Sequence, residues 1–306
     1  MTTTTDVRPP ATGDPRTPDA TGVPGAVGLT ALTALAPAVW GTTYLVTTEL
    51  LPAGHPLFAG LLRALPAGLL LLVVLRRLPQ GVWWWRSLAL GALNIGIFFP
   101  LLFVAAERLP GGVAATVGAV QPLLVIGLAL PLLGERPTLA RVGWALAGVG
   151  GVALVVLGPD ATLDPVGLLA GLGGALSMAA GVVLTRRWGR PPGIGSGVLV
   201  SWLLTAGGLV LLPLTFLLEG APPAIDAPAA GGYLWLGAIG GLAAYLFWFR
   251  GLGSLPVVAT ALLGLLSPVV AAALGWLILG EALRPVQLAG FALALAAILG
   301  GQLTRR

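Results

Sequence analysis

The chain is a succession of long apolar segments separated by short connections rich in proline, glycine and charge. Ten of these segments approach the length of about 20 residues that a helix needs to cross the hydrocarbon layer of a membrane. Lipid offers no partner for an open strand edge, so we expect all of them to be helices. The predicted limits of these spans are 28–49, 56–75, 87–106, 111–133, 139–158, 166–185, 196–217, 231–249, 257–279 and 286–302. The pattern therefore predicts an all-α polytopic membrane protein of ten transmembrane helices.

Residues 1–27 differ from the rest of the chain. They are rich in threonine, proline and aspartate and contain almost no large apolar side chains. Such a segment buries too little surface to offset the entropy of ordering it. We expect it to be a disordered cytoplasmic tail.

One stretch of the sequence occurs twice. Residues 90–135 match residues 236–281 without a gap, at a constant offset of 146. The matches between rare residue types pair Leu109-Pro110 with Leu255-Pro256, Pro122 with Pro268, and Gly134-Glu135 with Gly280-Glu281. Each half contains an odd number of spans, so the second half must enter the membrane upside-down relative to the first. The sequence predicts two inverted five-helix repeats, 28–158 and 166–302, with a site where they meet.

Composition excludes a water-soluble protein. The chain is 57% hydrophobic and 9% charged, whereas a soluble domain carries about 25% charged residues. Cysteine is absent from the sequence, which excludes disulfides and thiol chemistry, and the single histidine, His55, excludes a multi-histidine metal centre. We therefore expect neither a cofactor nor a metal.

The positive charge is carried by sixteen arginines and no lysine. A pI near 10.9 would favour nucleic acid as a partner, but no basic stripe interleaved with exposed aromatics is present, and membrane topology explains the arginines better. With a cytoplasmic amino terminus, thirteen arginines lie inside, Arg108 and Arg284 lie outside, and Arg63 lies within a span. We expect a multi-pass protein of the bacterial inner membrane with both termini cytoplasmic. Its partners are the lipid bilayer and a small solute; its oligomeric state is left open.

Several short motifs resemble the EamA-type branch of the drug/metabolite transporter superfamily. They are Trp40-Gly41 in span 1, Arg63 in span 2, Leu109-Pro110 between spans 3 and 4, Pro122 with Gly134-Glu135, and Pro268 with Gly280-Glu281. The resemblance covers about residues 30–302 and implies a ten-helix exporter that works by alternating access. The halves are unequal, since Met178-Ala179 replaces a tryptophan-centred pair and Arg63 has no counterpart near Ser201-Trp202.

Arg63 is the sharpest candidate for solute binding. It lies well inside an apolar span, where an ionisable group is expensive and marks a functional site by default. Its planar fork is suited to a substrate carboxylate or phosphate. Two other interpretations remain open: the side chain snorkels to the interface, or it pairs with helix carbonyls.

Other polar or amphipathic groups within spans complete the predicted binding site. They are Trp40, Tyr44, Asn94, Gln121, Tyr245, Trp248 and Ser267. Helix–helix hydrogen bonding is the alternative for these residues, and Trp248 also fits an interfacial belt. Gln121 and Ser267 each precede a proline, Pro122 and Pro268, and we expect both prolines to break the hydrogen bonding of spans 4 and 9.

The sequence is compatible with three kinds of function. The inverted duplication favours a secondary transporter that exports small metabolites, amino-acid-like or drug-like. A membrane-embedded enzyme would need paired carboxylates, a metal or an activated nucleophile, and the predicted spans contain no acidic pair, cysteine or histidine. A channel or lipid-scrambling protein could share the fold, and flux kinetics would separate it from a carrier.

Overall fold

The computed structural model describes residues 25–109, 114, 117–156, 164–279 and 284–304, and every regular element in these ranges is helical. In the first half, span 1 is Ala26–Leu50 and span 2 is Pro56–Leu75. Span 3 is continuous and comprises Trp83–Gly91, a π-helix at Ala92–Gly96, and Phe98–Arg108. Span 4 contains the helix Gln121–Leu133, and span 5 is Leu139–Val156.

The second half repeats this order. Span 6 is Pro165–Trp188 and span 7 is Ser196–Leu218. Span 8 comprises Ala227–Leu234, a π-helix at Trp235–Ala243, and Ala244–Leu252. Span 9 comprises Val257–Leu263 and Leu266–Leu279, and span 10 is Pro285–Leu303.

These helices confirm the predicted membrane architecture. Eight spans are long and apolar enough to cross a membrane, and two shorter apolar helices occupy the fourth and fifth positions. The predicted tail up to residue 24, Pro110 and Gly280-Glu281 lie outside the described residues.

The start of span 3 differs from the prediction. The helix begins at Trp83, four residues before the predicted limit of 87. Trp83 is buried against Trp202 of span 7 with ring centroids 6.1 Å apart, and Trp202 Nε1 donates a 2.7 Å hydrogen bond to the Arg77 carbonyl. Packing against span 7 thus extends the helix by one turn.

The packing of the spans follows the inverted repeat. Spans 2 and 7 pack extensively on each other, as do spans 5 and 10. Span 1 packs on spans 8 and 9, while span 6 packs on spans 3 and 4. Exchanging each span with the one five positions later leaves these pairings unchanged. The halves are therefore related by a pseudo-two-fold axis.

Glycines allow span 2 to approach span 7 closely. A Cβ added to Gly68 would lie 2.5 Å from the Thr205 backbone nitrogen, and one added to Gly208 would lie 2.7 Å from the Leu65 Cβ. Real Cβ atoms do not make such contacts, so glycine is required where these two backbones meet. This contact fixes the part of span 2 that carries Arg63.

A π-helix interrupts span 3 and span 8 at positions related by the repeat. The offset of 146 places residues 92–96 at 238–242, inside the second π-helix. The Ile97 amide donates to the Ala92 carbonyl at 2.7 Å, the five-residue spacing that defines this geometry. A π-helical turn changes which carbonyls are bonded within the helix. Two of these carbonyls contribute to the site described next.

Candidate solute-binding site

A cavity lies at the centre of the molecule, between the two halves. The cavity is open at one end, and its empty space together with the adjoining open solvent amounts to about 970 Å3. Its lining comes from spans 1, 2, 3, 4, 6, 8 and 9. Nine of the ten predicted residues line it: Trp40, Tyr44, Arg63, Gln121, Pro122, Tyr245, Trp248, Ser267 and Pro268. The remainder of the lining is largely apolar or glycine.

Arg63 is the charged member of the described lining. Its side chain is only 2% exposed, so it does not snorkel to the interface. Nη1 donates to Thr43 Oγ1 at 3.3 Å, and Nη2 donates to the Gly240 carbonyl at 3.5 Å. Its Cζ lies 4.8 Å from the centroid of the Phe99 ring, within the range of a cation–π contact. Neutral groups therefore hold the guanidinium in place.

The Gly240 carbonyl is shared by two side chains that line the cavity. Besides the long bond from Arg63, it accepts a 2.9 Å hydrogen bond from Trp40 Nε1. Gly240 lies within the π-helix of span 8, Trp235–Ala243. One backbone group thus positions both a cation and an aromatic wall of the cavity.

Aromatic rings form one wall of the cavity. Trp40 packs against Tyr245 and Trp248, with ring centroids 5.4 and 5.2 Å apart. Phe99 lies behind them and meets Tyr245 edge-on at 6.2 Å. Trp248 is 1% exposed; it therefore belongs to the core and not to an interfacial belt.

Spans 4 and 9 are interrupted beside the cavity. The helix of span 4 starts at Gln121 after a turn at Ala119–Val120, and span 9 turns at Gly264–Leu265 between its two helices. Pro122 and Pro268 lie in the first turn of the helices that follow, where the backbone N–H groups have no partner within the helix and a proline is tolerated. Span 1 approaches this break closely, because a Cβ on Gly41 would lie 2.6 Å from the Ser267 carbonyl.

Asn94 is the predicted residue that the structure does not bring to the cavity. Its side chain is fully buried, with Nδ2 donating to the Leu90 carbonyl at 2.8 Å, and it lies against Gly181 of span 6. Its backbone carbonyl accepts a 3.3 Å hydrogen bond from the Tyr245 hydroxyl. Asn94 therefore supports a cavity residue through its backbone, while its side chain packs between helices.

The sequence prediction missed Thr43 and Gly240, which contact Arg63. Thr43 is three residues after Trp40 and shares its helix face, so helical spacing could have indicated it. Gly240 is the repeat counterpart of Asn94 at the 146 offset. The carbonyls of both residues accept side-chain hydrogen bonds. Every residue has a backbone carbonyl, so the amino-acid sequence does not indicate which carbonyls accept such bonds.

The inverted repeats, the broken helices and a central cavity at their junction define a polytopic membrane protein of the transporter class. The sequence profile of the EamA-like transporter family matches residues 28–157 and 165–300. The chain belongs to this family and is an integral, multi-pass membrane transporter of the drug/metabolite type.

Named relatives agree with this assignment. The chain is 47% identical over 264 residues to Protein PecM of Dickeya dadantii, covering 86% of this chain and 89% of that protein. It is 30% identical to the uncharacterized inner membrane transporter YedA of Escherichia coli, covering 81% and 82% of the two chains. One crystal structure superposes with a TM-score of 0.73 at 22% identity, covering 90% of this chain and 94% of the other, which supports the fold.

Proposed function

We propose that this protein is a secondary transporter that exports small metabolites, amino-acid-like or drug-like, by alternating access. The observation that carries the proposal is the central cavity, to which both halves contribute and beside which spans 4 and 9 are broken. Inverted-repeat transporters hold their solute at such a junction. The repeats 28–158 and 166–302 would move against each other around it.

The proposed solute-binding residues are those that line the cavity with polar or aromatic groups. They are Trp40, Tyr44, Arg63, Gln121, Tyr245, Trp248 and Ser267. Asn94 has a supporting role in this proposal, because its side chain packs away from the cavity.

The shape of the cavity supports an outward-facing state. Its lining continues towards Leu102, Ala105 and Gly171, at the end of the molecule where span 3 ends and span 6 begins. On the other side of the centre, every residue of the helix Val257–Leu263 is buried. In the topology favoured by the arginines the open end is the outer one, in a bacterial inner membrane with both termini cytoplasmic.

The test is flux into proteoliposomes that contain the purified protein. A panel of small metabolites is offered with and without a pH gradient. We expect the flux to saturate with solute concentration. We also expect solute on the opposite side of the membrane to accelerate it, because the binding site of a carrier must turn back to the first side before the next solute can bind. Flux that rises linearly with concentration and shows no counterflow would instead identify a channel.

A matched pair of glycine variants tests whether the cavity is the route. Gly118 lines the cavity, and a Cβ added there meets nothing within 4 Å. Gly127 lies nine residues further along the same span, is exposed on the outside of the molecule, and is equally open. We expect Gly118→Leu to obstruct flux at least about tenfold, a barrier change of roughly 1.4 kcal/mol. Gly127→Leu should leave flux unchanged; equal fluxes in both variants would exclude this cavity.

A further inference from the structure

The cavity contains buried hydrogen-bond donors that the described part of the chain does not satisfy. Arg63 Nε, Gln121 Nε2 and Trp248 Nε1 are buried and have no hydrogen-bond partner among the described residues. All three are N–H groups, and the side chains of arginine and tryptophan contain no acceptor at all. A buried donor without an acceptor is costly. The cavity therefore favours a solute that brings acceptor atoms.

The charge of the cavity is also unbalanced. The described lining contains one charged side chain, Arg63, whose two hydrogen bonds go to the neutral groups of Thr43 and Gly240. The ion pair found in the described residues, between Arg108 and Asp164, lies at the outer end of the molecule, its side chains 51% and 37% exposed. A buried cation without a counter-ion is expensive. A negative charge on the solute would offset that cost.

The rest of the lining restricts the body of the solute. The rings of Trp40, Tyr245 and Trp248 form one wall, and Leu102 and Met178 belong to the apolar remainder. A second negative charge would find no further cation among the described lining residues, and an ammonium group would find no carboxylate there. Flat apolar groups, in contrast, stack well against aromatic rings.

We propose that the solute of this site is a monoanionic organic acid without an ammonium group, which narrows the amino-acid-like or drug-like solutes of the proposed function to such acids. Its carboxylate accepts hydrogen bonds from Arg63 and from the unpaired N–H groups around it, and its aromatic or apolar body lies against Trp40, Tyr245 and Trp248. The inference about binding rests on the cavity alone, and the inference that such an acid is moved across the membrane rests also on the proposed function.

The experiment compares four probes that share one body and differ in charge. They are 3-phenylpropionate, its neutral amide, 3-phenylpropylamine and phenylalanine, measured by equilibrium dialysis of the purified full-length protein and by competition against labelled 3-phenylpropionate. The anion should bind at least about tenfold more tightly than each of the others, the ratio expected when one hydrogen bond to a charged group is lost. Equal or tighter binding of the amide, the amine or the zwitterion overturns the proposal.

Two arginine variants locate the effect. Arg63→Gln should abolish the preference for the anion over the amide, and Arg63→Lys should retain part of it, because lysine keeps the charge but loses the planar fork. The control is Arg141→Gln: Arg141 is also buried and bonded to a backbone carbonyl, that of Thr304 at 3.1 Å, but does not line the cavity. It should leave the preference unchanged. An unchanged preference in a folded Arg63→Gln protein overturns the assignment, and the four-probe series on the unmodified chain decides by itself if that variant does not fold.

The proposal about solute binding and the proposal about transport can be overturned independently of each other. If the anion binds as described but is not moved in proteoliposomes, the proposed transport is wrong and the site assignment stands. If another probe is moved with saturation while the anion does not bind, transport stands and the solute class is wrong.

Discussion

At the scale of single residues, polarity within an apolar span was a good guide to the cavity but did not show which way a side chain points. Gln121 and Asn94 illustrate this, since both are amides inside predicted spans. The structure places Gln121 in the cavity and directs the Asn94 side chain back to the Leu90 carbonyl of its own helix. Asn94 lies within the π-helix Ala92–Gly96, where its side chain also packs against Gly181 of span 6.

This pair of amides gives a prediction with an internal control. Gln121→Leu removes a donor from the cavity, and we expect it to weaken binding of 3-phenylpropionate by about two- to tenfold, the worth of one ordinary hydrogen bond. Asn94→Leu removes a side chain that bonds only to its own helix, so the affinity should stay within about twofold of the unmodified protein. Equilibrium dialysis measures both values. A larger loss of affinity for Asn94→Leu than for Gln121→Leu would contradict the placement of these side chains.

At the scale of helices, the apolar pattern predicted the order of all ten spans, because the thickness of the hydrocarbon layer fixes the length of each segment. It did not predict the π-helices of spans 3 and 8. Their hydrogen bonding depends on contacts with neighbouring helices, such as the Ser177 hydroxyl that donates to the Leu93 carbonyl at 2.7 Å. Nothing in residue type distinguishes a π-helical turn from an α-helical one here, although the repeat relates the two segments to each other.

The breaks in spans 4 and 9 give a prediction about movement. Replacing Pro122 or Pro268 with alanine restores a backbone N–H donor and lets the helix continue through the break. We expect Pro122→Ala and Pro268→Ala each to lower the transport rate more than the folded yield, because a continuous helix would resist the rearrangement of the halves. Flux per folded protein, normalised by size-exclusion recovery, is the measurement.

The control for the proline variants is Pro213→Ala. Pro213 lies inside span 7, where the helix Ser196–Leu218 is unbroken. The Pro213 side chain is exposed on the outside of the molecule. This variant should keep both yield and flux. If all three variants transport at the unmodified rate, the breaks are features of packing and not of the transport cycle.

At the scale of the whole molecule, the constant offset of 146 predicted a duplication, and the five spans in each half predicted that the two copies are inverted relative to each other. The structure shows what the repeat could not: spans 2 and 7 meet through glycines, and spans 5 and 10 pack on each other. The symmetry is broken chemically, since Arg63 belongs to the first half alone. Under the proposed binding of an organic acid, a single cation beside a pseudo-symmetric cavity would give the bound acid one preferred orientation.

The orientation of the molecule is the last prediction. Thirteen of sixteen arginines lie on one side of the predicted spans, and arginine-rich connections remain in the cytoplasm. The chain contains no cysteine, so single cysteines report position without background. Pro192 and Ala224 are exposed and flank span 7, Ser196–Leu218, at its two ends. We expect Ala224→Cys to react with a membrane-impermeant maleimide in intact cells, and Pro192→Cys to react only after permeabilisation. Labelling of Pro192→Cys alone in intact cells would invert the topology and make the open end of the cavity the cytoplasmic one.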